Sequence, residues 1–220
     1  MEKYYIKFTE KPIDCFNPNN NKIWEETEVI SLCNYMGDRP GYFPNVFVKL
    51  RYDKNNIYVL FMVKEKNVIA VSKNHFDPVF EDSCVEFFFS PDIYDPEAYF
   101  NLEVNCSGKV LFGYRKNKSQ KSIRISIEDI NSLEVNSTFK NKTINEEIKE
   151  EIDWFVSYKI PFSLIEKYSN KPMGNLKNNW RVNFYKCADK SSNPHWLTWN
   201  KVINPVPNFH LPEHFGELVF

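Results

Sequence analysis

The chain is 220 residues long, 42% hydrophobic and 16% aromatic, with nineteen Phe, twelve Tyr and five Trp against only six Gly. That length can bury one substantial core, and so heavy an aromatic load suits sheets better than helical bundles. A net charge of -1 offers neither the basic face that nucleic acid requires nor a charge that recruits a membrane surface.

The opening MEKYYIKFTEKPID lacks the basic start and apolar run of a secretory signal, and no stretch approaches the roughly eighteen apolar residues of a membrane-spanning helix. The expectation is a cytoplasmic protein as the sequence stands, secreted only if a leader has been removed. Cys15, Cys33, Cys84, Cys106 and Cys187 are odd in number, scattered and without a C-x-x-C pair. Their spacing indicates reduced thiols, with neither a disulfide framework nor a zinc site.

CFNPNNNKIW reads as a turn-rich loop before Ile23 and Trp24 re-enter the core, and GDRPGYFPN as a second loop. Val46, Val48, Leu50 and Tyr52 alternate with Phe47, Lys49, Arg51 and Asp53, and Ile57–Val63 returns after Lys54–Asn56, which predicts a hairpin. The stretch PVFEDSCVEFFFSP predicts a buried strand over Cys84–Phe89. Its alternation places Val85, Phe87 and Phe89 on one face and Cys84, Glu86 and Phe88 on the other. A carboxylate there needs a partner or a wet concavity, because burying it alone is costly.

SPDIYDPEA is a loop, and Tyr99–Cys106 alternates with Phe100, Leu102 and Val104 opposite Tyr99, Asn101, Glu103 and Asn105. Lys109–Arg115 is its return strand. The Asn-rich region from Lys116 to Glu151 holds weak strands at Ser122–Ile127 and Leu133–Phe139. Ile152–Ile160 is a strand, and Ser163 to Glu166 has capping-box spacing for one short helix to Tyr168. Trp180–Lys186 alternates again, and a proline-punctuated tail ends in a strand at Phe215–Phe220. About ten short strands with almost no helix predict an all-β antiparallel sandwich, with residues 1–220 as one domain.

Three polar strand faces then need one explanation: Glu86; Asn101, Glu103 and Asn105; and Arg181, Asn183 and Tyr185. A solvated sheet face is the plain account. The aromatic loops beside them, Phe80 before one strand and Trp196 and Trp199 after another, suggest more. An exposed ring stacks on the C–H face of a sugar while nearby carboxylates and amides engage its hydroxyls, and a loop gives two tryptophans little core to enter.

The order EDSCVEFFFSP, YFNLEVNCSG, WRVNFYK, SNPHWLTW and FHLPEHFGELVF resembles the family 9 carbohydrate-binding modules, with a jelly-roll-like, DOMON-like sandwich, from about Trp24 to Phe220. The resemblance implies a non-catalytic module, of the kind attached to bacterial xylanases in polysaccharide catabolism, that binds oligosaccharide or polysaccharide by sandwiching the end of a glucan or xylan chain between two aromatic rings. It implies that Trp196 is one wall, Phe80 the other where relatives carry tryptophan, and that Glu86 and Asn193 meet hydroxyls. Trp199, Glu103, Arg181 and Asn183 complete the candidate set.

No cofactor is expected. Structural calcium is an option because family members can carry it, with Asp82 and Asp77 as oxygen donors beside the key strand. Other readings are a glycosidase using Glu86 and Glu103, a haem protein drawing on Met36, Met62, His75, His195, His210 or His214, and an interaction module without a sugar site.

Overall fold

The computed structural model describes residues 1–18, 22–95, 97–117, 119–173 and 179–220. Parts of three expected segments, the loop at 15–24, the loop at 90–98 and the Asn-rich region, therefore lie outside the described residues. In chain order come strands β1 (Lys3–Tyr5), β2 (Lys7–Phe8), β3 (Ile30–Ser31), β4 (Asn34–Tyr35), β5 (Asn45–Tyr52) and β6 (Asn56–Glu65). Then follow β7 (Val68–Ala70), β8 (Cys84–Ser90), β9 (Tyr99–Asn105), β10 (Val110–Arg115) and β11 (Ile123–Arg124). Helix α1 (Ile127–Asn131) leads to β12 (Asn136–Ser137), β13 (Ile144–Ile148) and β14 (Ile152–Pro161). Helix α2 (Phe162–Ser169) precedes β15 (Trp180–Cys187), β16 (Trp196–Thr198) and β17 (Gly216–Val219).

These strands form the expected β-sandwich. The larger sheet runs β1-β17-β15-β8-β9-β10-β11, with β16 and then β4 added beside β15; the smaller runs β12-β14-β6-β5-β2, with β3 on β5. β15 is antiparallel to β8, and β8 to β9, with Phe184, Phe87 and Leu102 in register. Those residues face inward with Val59, Phe61 and Val63 of β6 in the main core. Phe87 stacks on Phe184 at 4.8 Å, and Phe61 meets Phe184 edge-on at 6.2 Å. Burying such side chains is the main drive for closing two sheets.

The alternation in β8 holds: Val85, Phe87 and Phe89 enter the main core, while Cys84 and Phe88 join a second apolar cluster on the outer face. That outer face is not solvated. All seven residues of β8 and all seven of β9 are buried, because the long segment between β16 and β17 lies over them. Phe209 stacks on Tyr185 at 4.1 Å and His210 packs on Phe88 at 5.1 Å.

Two helical details differ from expectation. The N-cap of α2 is Pro161, so Ser163 lies inside the helix and Glu166 instead accepts the Met173 amide. The cap expected there occurs at α1, where Ser126 Oγ accepts the Asp129 amide. β13, which pairs with β7, lies in a charged stretch that carried no readable alternation.

Candidate functional site

The strand register lays polar groups in rows across the outer face. Tyr185, Glu86, Glu103 and Leu111 form one row across β15, β8, β9 and β10. Asn183, Phe88, Asn101, Gly113 and Arg124 form the next, ending on β11. A Cβ at Gly113 would collide with Ser122 Oγ and stand 3.0 Å from Asn101 Oδ1. Glycine there keeps the floor open beside Asn101.

Above this floor is a cavity of about 450 Å³ whose lining includes Glu86, Asn101, Glu103 and Cys187. Its aromatic walls are Phe76, Phe80 and Trp196, and Pro207–His210 of the covering segment closes one side. Phe80 sits in a short 3-10 turn, Val79–Glu81, and is 36% exposed. Trp196 is half-buried, and its Nε1 donates to Asp189 Oδ1 at 2.7 Å. The Asp189 amide in turn donates to the Phe80 carbonyl at 3.2 Å. Asp189 thus ties both rings to one turn.

Phe76 is held at φ 70, a conformation that costs a non-glycine residue about 1–2 kcal/mol. Its amide donates to the Val110 carbonyl, and the Arg124 guanidinium lies over its ring at 4.8 Å.

The electrostatics of the floor follow from burial. Glu86 and Glu103 are 2% and 4% exposed, and desolvation disfavours their charged forms. Burial pushes the Glu103 carboxyl up to about 7, although Asn101 Nδ2 donates to its Oε1 at 2.9 Å and works against the shift. Burial raises Glu86 well above the usual carboxylate range, and the neighbouring Cys187 and Glu103 add to it. Arg115, which also lines the cavity, has a buried Nε with no hydrogen-bond partner among the described residues. Burial and then the Arg115 charge depress His210 to about 4, while Tyr99 Oη and His210 Nδ1 lie 2.9 Å apart.

Of the residues singled out in the sequence, Phe80, Glu86, Asn101, Glu103 and Trp196 meet at this cavity. The others are used elsewhere. Trp199 is 8% exposed and packs on Phe184 in the main core. Asn193 clamps the Tyr42 backbone, its Nδ2 donating to the carbonyl at 3.0 Å and its Oδ1 accepting the amide. Asn183 holds the Asn200 amide and carbonyl, and Arg181 Nη2 donates to the Phe215 carbonyl at 2.7 Å. Both fasten the covering segment. Asp82 accepts the Val71 and Ser72 amides and Asn105 Nδ2, and Asp77 accepts the Lys73 and Asn74 amides. Both carboxylates are thus engaged by N–H donors, and neither aspartate converges with two further His, Cys, Asp or Glu side chains among the described residues. Of the histidines and methionines considered for haem, only His210 lines the cavity.

A family model for carbohydrate-binding family 9 matches residues 19–220. The chain belongs to carbohydrate-binding family 9. A Bacteroides uniformis ATCC 8492 protein provisionally described as carbohydrate-binding is similar in structure, with TM-score 0.88 and 28% identity over 99% of this chain and 98% of that one. Two structures of a family 9 module from Caldicellulosiruptor kristjanssonii are also similar in fold. The complex with glucose has TM-score 0.60 and 16% identity, over 99% of this chain and 95% of that one. The complex with cellotriose has TM-score 0.63 and 17% identity, over 99% and 93%. No curated protein matches the chain significantly.

Within this family 9 chain the lining residues outside the sugar-site candidates are Phe76, Arg115, Arg124, Asp189, Asn208 and His210, the last considered in the sequence only as a haem ligand. Arg115 and Arg124 follow their strands' alternation and could have been found by continuing the row from Asn101. Asp189, Asn208 and His210 come from loops with no period, where only the fold places them.

Proposed function

We propose that residues 1–220 act as one non-catalytic module that binds a glucan- or xylan-type oligosaccharide, or the end of such a chain, in the cavity over β8 and β9. The observation that carries this reading is the meeting of Phe80 and Trp196, from distant parts of the chain, on one cavity whose floor is polar. A sugar ring offers C–H faces to aromatic walls and hydroxyls to Glu86, Glu103, Asn101 and Arg115, which together supply acceptors and donors. The family 9 module of similar fold was solved with glucose and with cellotriose, which supports the substrate class.

A hydrolytic role fits less well. A glycosidase places its two carboxyls on either side of the scissile bond, whereas Glu86 and Glu103 are side by side on one wall. Calorimetric titration with cello- and xylo-oligosaccharides, together with product analysis, tests the proposal. Saturable 1:1 binding without hydrolysis is expected; no heat with either series, or release of shortened products, overturns it.

A further inference from the structure

Beside Glu86 at the cavity floor are two cysteines to which sugar binding gives no role. Cys84 and Cys187 are direct partners in the β8–β15 register, and Glu86, two residues along β8, is on the same face. One ligating atom from each lies within 4.8 Å of the other two, and all three side chains are buried. The Cys187 thiol points at the carboxyl: its Sγ is 3.1 Å from Glu86 Oε1 and 3.4 Å from the Phe80 carbonyl. The nearest ammonium in sequence, that of Lys186, serves Glu65 and His195 on the opposite face. Lys186 acts on the two thiols through its charge alone.

Two sulfurs and one carboxylate oxygen are a donor set suited to a borderline-soft ion. In a tetrahedral zinc site with Zn–S bonds of about 2.3 Å, neighbouring sulfurs stand about 3.8 Å apart. The present spread, at most 4.8 Å, exceeds that separation by about 1 Å. Cys187 and Glu86 also line the cavity, which gives the ion a path of entry and leaves room for a fourth, exchangeable ligand.

We propose that Cys84, Glu86 and Cys187 bind a zinc-class divalent cation at the cavity floor, with one coordination position open to the cavity. The ion takes the place of the thiol proton now shared with Glu86. Both thiols lose their protons to solvent, as does Glu86 where it carries one, so that three anionic donors face the cation. The proposal stands apart from the sugar reading, although the two ligands share Glu86 and are expected to compete for it.

The test uses reduced, chelator-treated full-length protein in a Cys33→Ser background, since Cys33 is the exposed thiol. Zn²⁺ is titrated against a chromophoric chelator, and Co²⁺ is followed by its thiolate charge-transfer absorption. The expected result is one ion per chain, a thiolate band, and an upward shift of the melting temperature with Zn²⁺. Cys84→Ser or Cys187→Ser should weaken binding at least a hundredfold and abolish the band. Glu86→Gln should weaken it about tenfold. Absence of a 1:1 thiolate-bound ion in the parent overturns the proposal, as does a band that survives in the Cys84→Ser/Cys187→Ser double variant. Because the parent's melting shift needs no substitution and no sugar, a poorly folding variant or a failed oligosaccharide titration leaves the test intact.

Discussion

Glu86 and Glu103 stand directly opposite each other on adjacent antiparallel strands, both buried at the floor of one cavity. Side chains so placed have Cβ atoms about 4.5–5.5 Å apart, and like charges there repel. The pair therefore behaves as one unit that holds fewer than two charges near neutral pH, leaving carboxyl protons available as donors to sugar oxygens. Glu86→Gln and Glu103→Gln are each expected to weaken oligosaccharide binding. The double variant should lose less than the sum, since residues in contact couple by about 0.5–3 kcal/mol. Strict additivity in a calorimetric cycle would show that the two act separately.

A second buried charge group lies inside the sandwich. Lys186 Nζ is 2.9 Å from Glu65 Oε2, both side chains are at most 1% exposed, and Trp154 Nε1 donates to the other Glu65 oxygen. His195 completes it: Nδ1 donates to the Asn193 carbonyl at 2.7 Å, leaving Nε2 to accept from Lys186. Lys186→Met strands a carboxylate and should cost about 3–5 kcal/mol. Lys186→Met combined with Glu65→Gln should recover most of that loss. Chemical denaturation of the four proteins measures both, and equal losses for the single and double changes would contradict the account.

These two groups show what the sequence could and could not reveal. Alternation in Tyr99–Asn105 correctly puts Asn101 and Glu103 on one face, and the β8–β9 register joins Glu86 to it. It cannot say what covers that face, and the covering segment between β16 and β17 has no period at all. Hence Asn183 and Arg181, polar and in phase, turn out to fasten that segment rather than line the cavity. Trp199 misleads for a related reason. Its loop-like surroundings hide the fact that β16 ends one residue earlier, so the ring continues the strand's inward face. Lys186 is in phase with the inward-facing Val182 and Phe184, a place for a lysine that alternation alone cannot explain until Glu65 is seen beside it.

His210 supplies a pH dependence. Its folded value, about 4, lies below the ordinary histidine value near 6.5 because the ring is buried and close to Arg115. The neutral ring is the one the fold accepts, so its contribution is present above pH 6.5 and is lost as pH falls through about 4. The melting temperature of the parent should therefore drop, relative to His210→Gln, between pH 6.5 and 4. A flat difference across that interval would remove His210 as the cause; His75 and His195, whose values burial also lowers, cancel in the comparison.

Asp189 offers a way to disturb the walls without touching a ring. Its carboxylate holds Trp196 and its amide holds Phe80. Asp189→Ala keeps the backbone link and removes the indole anchor, freeing one half-buried side chain at a cost of about 0.5–1.5 kcal/mol in lost pre-organisation. Oligosaccharide affinity should fall about three- to tenfold, while the melting temperature changes by only a few degrees. Affinity equal to that of the parent would mean that the indole is positioned by Gly37 and the apolar cluster it packs against.

The rings themselves bear most of the weight of the sugar reading, and they are unequal. Trp196 presents an indole fixed at one edge by Asp189, whereas Phe80 is a smaller ring on a one-turn helix. Stacking energy grows with the apolar area covered, at about 25 cal/mol per Å². Trp196→Ala should therefore weaken oligosaccharide binding at least tenfold, equivalent to about 1.4 kcal/mol. Phe80→Ala should cost less, and Phe80→Trp should raise affinity severalfold by extending the opposing wall. Calorimetry on the three variants ranks them. Binding that is indifferent to Trp196 would place the sugar elsewhere on the molecule, and a loss of affinity in Phe80→Trp would mean that the phenyl ring sets the width of the slot and is not a weaker substitute for an indole.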